Sequence, residues 1–283
     1  MDDPMYSKIR ESSNPYTLKA RLLFEQIQES CGQFLGSDPQ HRAARDFYPT
    51  WWELYLAYAL HNAGIQLVTR ADRTHPEEGP DLLAENPPVW IEAVMPESGG
   101  GVDALSEPLP GHVFTVPIDS FVLRLRTAID AKILKLRQYI EGGTVSVGDA
   151  AIVAVSGGRL PFRFTEGPVP NIVRAVLGVG SPILEINRAA RKIVGRSIEY
   201  RDRVMKKSKC PVDTDVFLRD ESAHVSAVLY SSADCVNHPK RPGSDFILVH
   251  NPKAFVPIAY RWLPTGDEYW LDKSSATLRS RIG

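Results

Sequence analysis

Two carboxylates adjoin consecutive apolar segments: Asp81 in Gly79-Pro80-Asp81-Leu82-Leu83, and Glu92 in Val89-Trp90-Ile91-Glu92-Ala93-Val94. On neighbouring strands such carboxylates lie side by side, and hard oxygen ligands of this kind hold Mg²⁺ or Mn²⁺ against a phosphate. Strand alternation puts Glu92 on one face with Trp90 and Val94, so its carboxylate points into a partly buried region. A buried carboxylate is costly unless it is paired or bound to a metal. A third acid, Glu53, follows Trp51 and Trp52. It reads either as a member of an acidic cluster or as the glutamate of a capping box with Thr50 as N-cap. Asp81 likewise has a plainer reading as a turn residue after Gly-Pro, and Glu92 as a carboxylate on a solvated strand face.

The elements that must position these acids follow from periodicity. Pro49-Thr50 sets a helix start, and Trp51, Leu54, Tyr55, Tyr58 and Leu60 form a helical stripe that ends near Gly64. Residues 65–70, 80–84 and 89–95 read as three short strands. Residues 97–117, with Gly99-Gly100-Gly101, Pro108 and Pro110, form a long loop beside the carboxylates, either a substrate-ordering flap or a disordered insertion. Helical periodicity returns from Ile118 to about Ile140 in Leu125, Ile129, Ile133, Leu136 and Ile140, with Arg124, Arg126, Lys132, Lys135 and Arg137 on other faces. Residues 149–156 are a continuous apolar run suited to a strand buried on both faces.

This order, helix, three strands, helix, strand, together with Asp81 and Glu92, resembles the αβββαβ core of the restriction-endonuclease-like PD-(D/E)xK nuclease superfamily over residues 47–156. The resemblance implies an α/β fold with a mixed sheet. It implies Mg²⁺ (or Mn²⁺) held by Asp81, Glu92 and the backbone carbonyl of Ala93, and hydrolysis of phosphodiester bonds by an endonuclease acting on DNA, with RNA as the alternative substrate. A homodimer is left open. The chain departs from the family at one position: the lysine expected two residues after Glu92 is Val94. Some members supply the cation from the following helix, where Lys132 and Lys135 stand one turn apart, with Gln138 and Arg126 near the same side. The catalytic set implied is Glu53, Asp81, Glu92 and Lys132 or Lys135. Lysines on the solvated face of an amphipathic helix are the plainer account, and Val94 itself motivates a second reading, an inactive nuclease-fold module that binds nucleic acid or a protein.

Composition bounds the rest. In 283 residues, 33 Lys and Arg against 34 Asp and Glu leave a net charge of −1, so any nucleic-acid contact must come from a local basic face. Candidates are Arg188, Arg191, Lys192 and Arg196, then Lys206, Lys207 and Lys209, then Lys240-Arg241, each equally readable as solvated charge. Cys31, Cys210 and Cys235 fit neither a disulfide framework nor a metal knuckle. With the acidic start Met1-Asp2-Asp3-Pro4 and no run of membrane-spanning length, a cytoplasmic protein is expected. No P-loop, HExxH or GxSxG motif occurs, and His250 before Asn251-Pro252 reads as a hydrogen-bonding residue. Residues 1–46 are expected to be a mobile lead-in and an accessory helix from Thr17 to about Leu35. A break at Gly36-Ser37-Asp38-Pro39 follows, and residues 157–283 are expected to be a β-rich elaboration packed on the core, whose apolar runs at 171–179, 183–186, 224–230 and 245–250 extend the sheet or form a second one.

Overall fold

The structure, a computed structural model, describes residues 2–36, 38–109, 111–272 and 277–283. Met1, Ser37 and Pro110, which belong to the expected lead-in, break and loop, lie outside the described residues. The elements in chain order are α1 (Pro4–Glu11), α2 (Pro15–Cys31), α3 (Pro39–Arg45), α4 (Phe47–Asn62), β1 (Leu82–Ala84), β2 (Val89–Val94), α5 (Ile118–Glu141), β3 (Ala150–Ser156), α6 (Asn171–Leu177), β4 (Val179–Asn187), β5 (Lys192–Tyr200), β6 (Arg203–Met205), β7 (Pro211–Asp213), β8 (Ala227–Ser231), β9 (Ile247–His250), β10 (Asp267–Leu271) and β11 (Leu278–Arg281). The result is a mixed α/β fold around a seven-stranded sheet in the order β1-β2-β3-β8-β9-β10-β11. Within it β2, β3 and β8 run parallel, and β1 and β9 pair antiparallel to β2 and β8.

Strand β3 shows why the sheet is covered on both sides. Ala150, Ile152 and Ala154 join one apolar cluster with α1, α2 and α4, whereas Ala151, Val153 and Val155 join a second with α5 and α6. Period-2 alternation in a wholly apolar strand therefore builds two cores, one on each face. Helix α4 lies between the sheet and the amino-terminal helices. Trp51, Trp52, Leu54, Tyr55, Leu56 and Leu60 are all nearly inaccessible, so the helix is apolar around its whole circumference and not along one stripe. Trp51 and Tyr55 stack with ring centroids 4.8 Å apart, and Trp52 Nε1 donates to the carbonyl of Ala154, 3.2 Å away on the sheet.

Several expectations are corrected here. The amino-terminal lead-in contains helix α1, capped by Asp3 Oδ1, which accepts from the Met5 and Tyr6 N–H groups, and it buries Tyr6 and Ile9 against the first core. Together, α1 and α2 complete a core that α4 and the sheet cannot close alone. Thr50 is not an N-cap. Helix α4 starts at Phe47, Thr50 Oγ1 donates to the Asp46 carbonyl at 2.8 Å, and Pro49 sits in the first turn, where its missing N–H is harmless. The strand expected at 65–70 is reduced to a bridge between Leu67 and Ala84, with Val68 and Glu85 N–H groups donating to Leu83 and Gln66. A 3₁₀ turn at Arg70–Asp72 then diverts the chain. The apolar run 171–179 is helix α6 as far as Leu177, not a strand; Gly178 at φ +64° closes it, and Val179 opens β4. Of the two arrangements open for the carboxy-terminal runs, strands β8 to β11 take the first and extend the sheet that carries the acids. No helix among the described residues is long and apolar enough to cross a membrane.

Trp52 ties helix to sheet both by packing and by its indole hydrogen bond. Trp52→Ala is expected to lower the unfolding free energy by roughly 3–5 kcal/mol, read as a shift in the urea midpoint with an unchanged slope.

Candidate active site

Glu92 projects from the face of β2 turned toward α5 and is wholly inaccessible, beside Val153 on β3 and with Val94 and Val155 next along the face. Alternation along β2 predicts an apolar neighbourhood for it, and the fold makes that burial complete. Its Oε1 accepts from Lys132 Nζ at 2.5 Å and from Lys135 Nζ at 2.7 Å. The i, i+3 spacing puts both ammonium groups on one side of α5, next to the buried Ile129, Ile133 and Leu136 that dock the helix on the sheet. The reading of these lysines as solvated surface charge is therefore overturned. Glu92 Oε2 is buried with no hydrogen-bond partner among the described residues.

Asp81 immediately precedes β1. Its Oδ2 accepts from the Ala93 N–H at 2.7 Å, closing the mouth of the β1–β2 hairpin where the strand ladder has ended at Leu82 opposite Ile91. A residue's N–H and C=O leave a strand by the same edge, so the Ala93 carbonyl faces the Asp81 side. Gly79 takes φ +98°, where a Cβ would sit 3.0 Å from Thr144 Cγ2, which accounts for glycine at this turn. Arg73, buried in the turn before it, donates to the carbonyls of Pro80 (2.9 Å), Asp81 (3.0 Å) and Phe34 (3.2 Å). Burial, then the neighbouring Arg70 charge, lowers its pKa to about 10.

Glu53 is held by Arg42 of α3, with Nη2 to Oε1 at 2.6 Å, and not by a capping box. Burial first, then the charge of Asp81, raises its pKa from 4.5 to about 7; Arg42 works against this, and Glu92 adds a smaller upward push. The three acids thus feel one another's field. Burial, then Asp81, also raises the Glu92 carboxyl, opposed by Lys132 and Lys135. Lys135 is desolvated, which disfavours its charge, but hydrogen bonds to Glu92 and Tyr139 hold it above the ordinary amine range.

The structure thus brings Asp81, Ala93, Glu92, Lys132 and Lys135 together on one end of β2, with Glu53 facing them electrostatically from α4. Arg126 is not with them: it is buried and pairs with Asp130, and Gln138 is exposed. His250 lies elsewhere, 3.8 Å from Glu268, where burial lowers its pKa. Sequence reasoning missed Arg42 and Arg73. Neither carries a local signal, because each works on a partner supplied by another element.

The donor chemistry suits a hard divalent cation: two carboxylates, one with an orphaned buried oxygen, and a backbone carbonyl on the same edge. Among the described residues no group of three or more His, Cys, Asp or Glu side chains is gathered for a metal, so any such ion rests on this two-carboxylate set. The chain matches no known family model, no curated protein and no solved structure.

Two outcomes follow. The raised pKa of Glu53 means that the folded state holds a proton the unfolded chain has released between about pH 4.5 and 7. Its stabilising contribution is complete below the unfolded value and is lost as pH rises through 7. Glu53→Gln is expected to flatten the fall in stability over pH 5–8 by on the order of 2 kcal/mol, measured by urea denaturation at each pH. Replacing both Lys132 and Lys135 by Met leaves Glu92 buried and unpaired, which is expected to cost about 3–5 kcal/mol. Adding Glu92→Gln is expected to restore most of that loss in a double-mutant cycle.

Proposed function

We propose that this protein hydrolyses phosphodiester bonds in nucleic acid, as a Mg²⁺- or Mn²⁺-dependent DNA endonuclease with a restriction-endonuclease-like core. The observation that carries the reading is the convergence of Lys132 and Lys135 on Glu92: a cation absent from position 94 is supplied across the helix–sheet contact, beside the acid it would accompany. The order α4, bridged segment, β1, β2, α5, β3, with β2 and β3 parallel, agrees with the αβββαβ arrangement. Asp81, the Ala93 carbonyl and Glu92 Oε2 would hold the metal, which supplies neutralisation of charge at the scissile phosphate and a more acidic water. In this reading one of the two ammonium groups on Glu92 Oε1 would keep the acid ionised while the other would stabilise charge at the attacking water or a phosphate oxygen. Glu53, with its pKa near neutrality, gives up its proton when positive charge arrives beside it.

A second reading has its own observation. Each acid already has a partner from the protein: Arg42 for Glu53, the Ala93 N–H for Asp81, two lysines for Glu92. A site balanced in this way without a metal suits an inactive module of the same fold that binds nucleic acid or protein.

Cleavage of supercoiled plasmid, linear duplex and single-stranded DNA with Mg²⁺ or Mn²⁺ separates the two. The parent is expected to cut only with metal, Asp81→Ala and Glu92→Ala to be inert, and Lys132→Met or Lys135→Met to lose on the order of a hundredfold in rate. Circular dichroism verifies that each variant is folded. A folded parent that never cuts, but gains activity with Val94→Lys, establishes the inactive module and ends the nuclease reading.

A further inference from the structure

Strands β4 and β5 form a two-stranded antiparallel ribbon separate from the main sheet. From Ser181 to Lys192 every residue is exposed; Pro182, Ile183 and Leu184 line a cleft shared with Leu278 and Ser280 of β11, and the tip beyond them is exposed on both faces. At about 3.4 Å per residue its nine-residue strands reach roughly 30 Å. Its root is fixed. Arg201 makes a double hydrogen bond to Asp119 in the first turn of α5 (2.7 and 2.6 Å), and its N–H donates to the Gly178 carbonyl at 2.6 Å. The Gly178 N–H donates to Thr214, and at φ +64° a Cβ on Gly178 would meet Asp215 Cβ at 2.9 Å.

The tip carries an unusual charge. Residues 187–196 hold Arg188, Arg191, Lys192 and Arg196 and no acid, a local charge of +4 in a chain whose net charge is −1. Elsewhere on the surface, arginines face acids: Arg201 with Asp119, Arg203 with Asp202, Arg219 with Asp213 and Asp215. The four ribbon cations have no side-chain partner among the described residues. The tip turn is held by Asn187 Oδ1, which accepts from the Ala190 N–H at 2.9 Å, so Arg188 and Arg191 flank a fixed turn. Behind it, cross-strand register and alternation gather Leu184, Ile186 and Ile193 on one face, each about half exposed or more.

We propose that the β4–β5 ribbon is an arm that grips duplex DNA, with Arg188, Arg191, Lys192 and Arg196 on backbone phosphates and the Leu184–Ile186–Ile193 face against the groove wall. A two-stranded ribbon fits the major groove, about 12 Å wide. Four cations without a side-chain partner among the described residues, in a stretch from 187 to 196 that holds no acid, supply the sequence-independent attraction that phosphates require. The choice of DNA as the polyanion rests on the proposed function, and the arm supplies the positive charge that a body carrying −5 without these four cations lacks.

The test is duplex binding by the full chain in EDTA, where cleavage cannot occur, followed by fluorescence anisotropy of a labelled duplex of about 30 base pairs over a salt series. The variant Arg188→Ser/Arg191→Ser/Lys192→Ser lies wholly on exposed positions, and its thermal unfolding serves as the folding control. It is expected to bind at least tenfold more weakly at moderate salt and to lower the slope of log K against log [salt] by about 3. Arg188→Lys/Arg191→Lys is expected to keep the slope. Unchanged affinity and slope in the triple variant overturns the arm, as does a change confined to self-association in sedimentation, which would make the ribbon an interface between copies. A parent that binds with this slope yet does not cut with Mg²⁺ keeps the arm and removes the nuclease; a parent that cuts while the triple variant binds equally well does the reverse.

Discussion

A single buried carboxylate organises the candidate site. Glu92 lies on an apolar sheet face where an isolated charge would be prohibitively costly, and the chain answers it with two lysines from a helix about forty residues away. That answer depends on α5 docking in one register, which Leu125, Ile129, Ile133 and Leu136 fix by filling the second core. The same docking sets the first turn of α5 against Arg201 at the root of the β4–β5 ribbon. Helix register, acid pairing and ribbon anchorage are therefore one constraint seen at three places.

The opposite face obeys a complementary logic. Helix α4 is apolar all round, so it is stable only when both the sheet and the amino-terminal helices cover it, and Glu53 is buried as a consequence. Arg42 from α3 offsets part of that cost, while Asp81 and Glu92 keep the carboxyl inclined to hold its proton. An acid in this condition responds sharply to arriving positive charge, because burial first and then the field of its neighbours hold its pKa near neutrality. Arg73 performs the matching task for Asp81: it fastens the backbone on either side so that the carboxylate stays at the edge of β2.

Much of the core was legible in the sequence. The helix before the acids, β1 and β2, the long irregular segment, α5 and β3 all lie close to where periodicity and breaker residues put them, because each signal is local. The failures are equally physical. Thr50 and Glu53 match a capping box in spacing, but the helix begins one turn earlier at Phe47, and the spacing loses its meaning. The run 171–179 contains enough Val and Ile to suggest a strand, yet residues 171–177 form α6 and pack against α5 and β9, a tertiary preference that overrides propensity. The role of Lys132 and Lys135 stayed open between site and solvent, since a charged residue beside an apolar stripe looks alike in both cases.

The sequence by itself determined which groups are present and their order: two acids on successive strands, no lysine at 94, a basic stretch without acids from 187 to 196. It also determined the two faces of β3, because alternation is built into the extended backbone. Only the tertiary structure decided which cation meets which acid, that Arg42 and Arg73 take part, and that the basic stretch forms a free-standing ribbon. Those outcomes depend on contacts between residues far apart in the chain, and no periodicity within a segment encodes the distance between two segments.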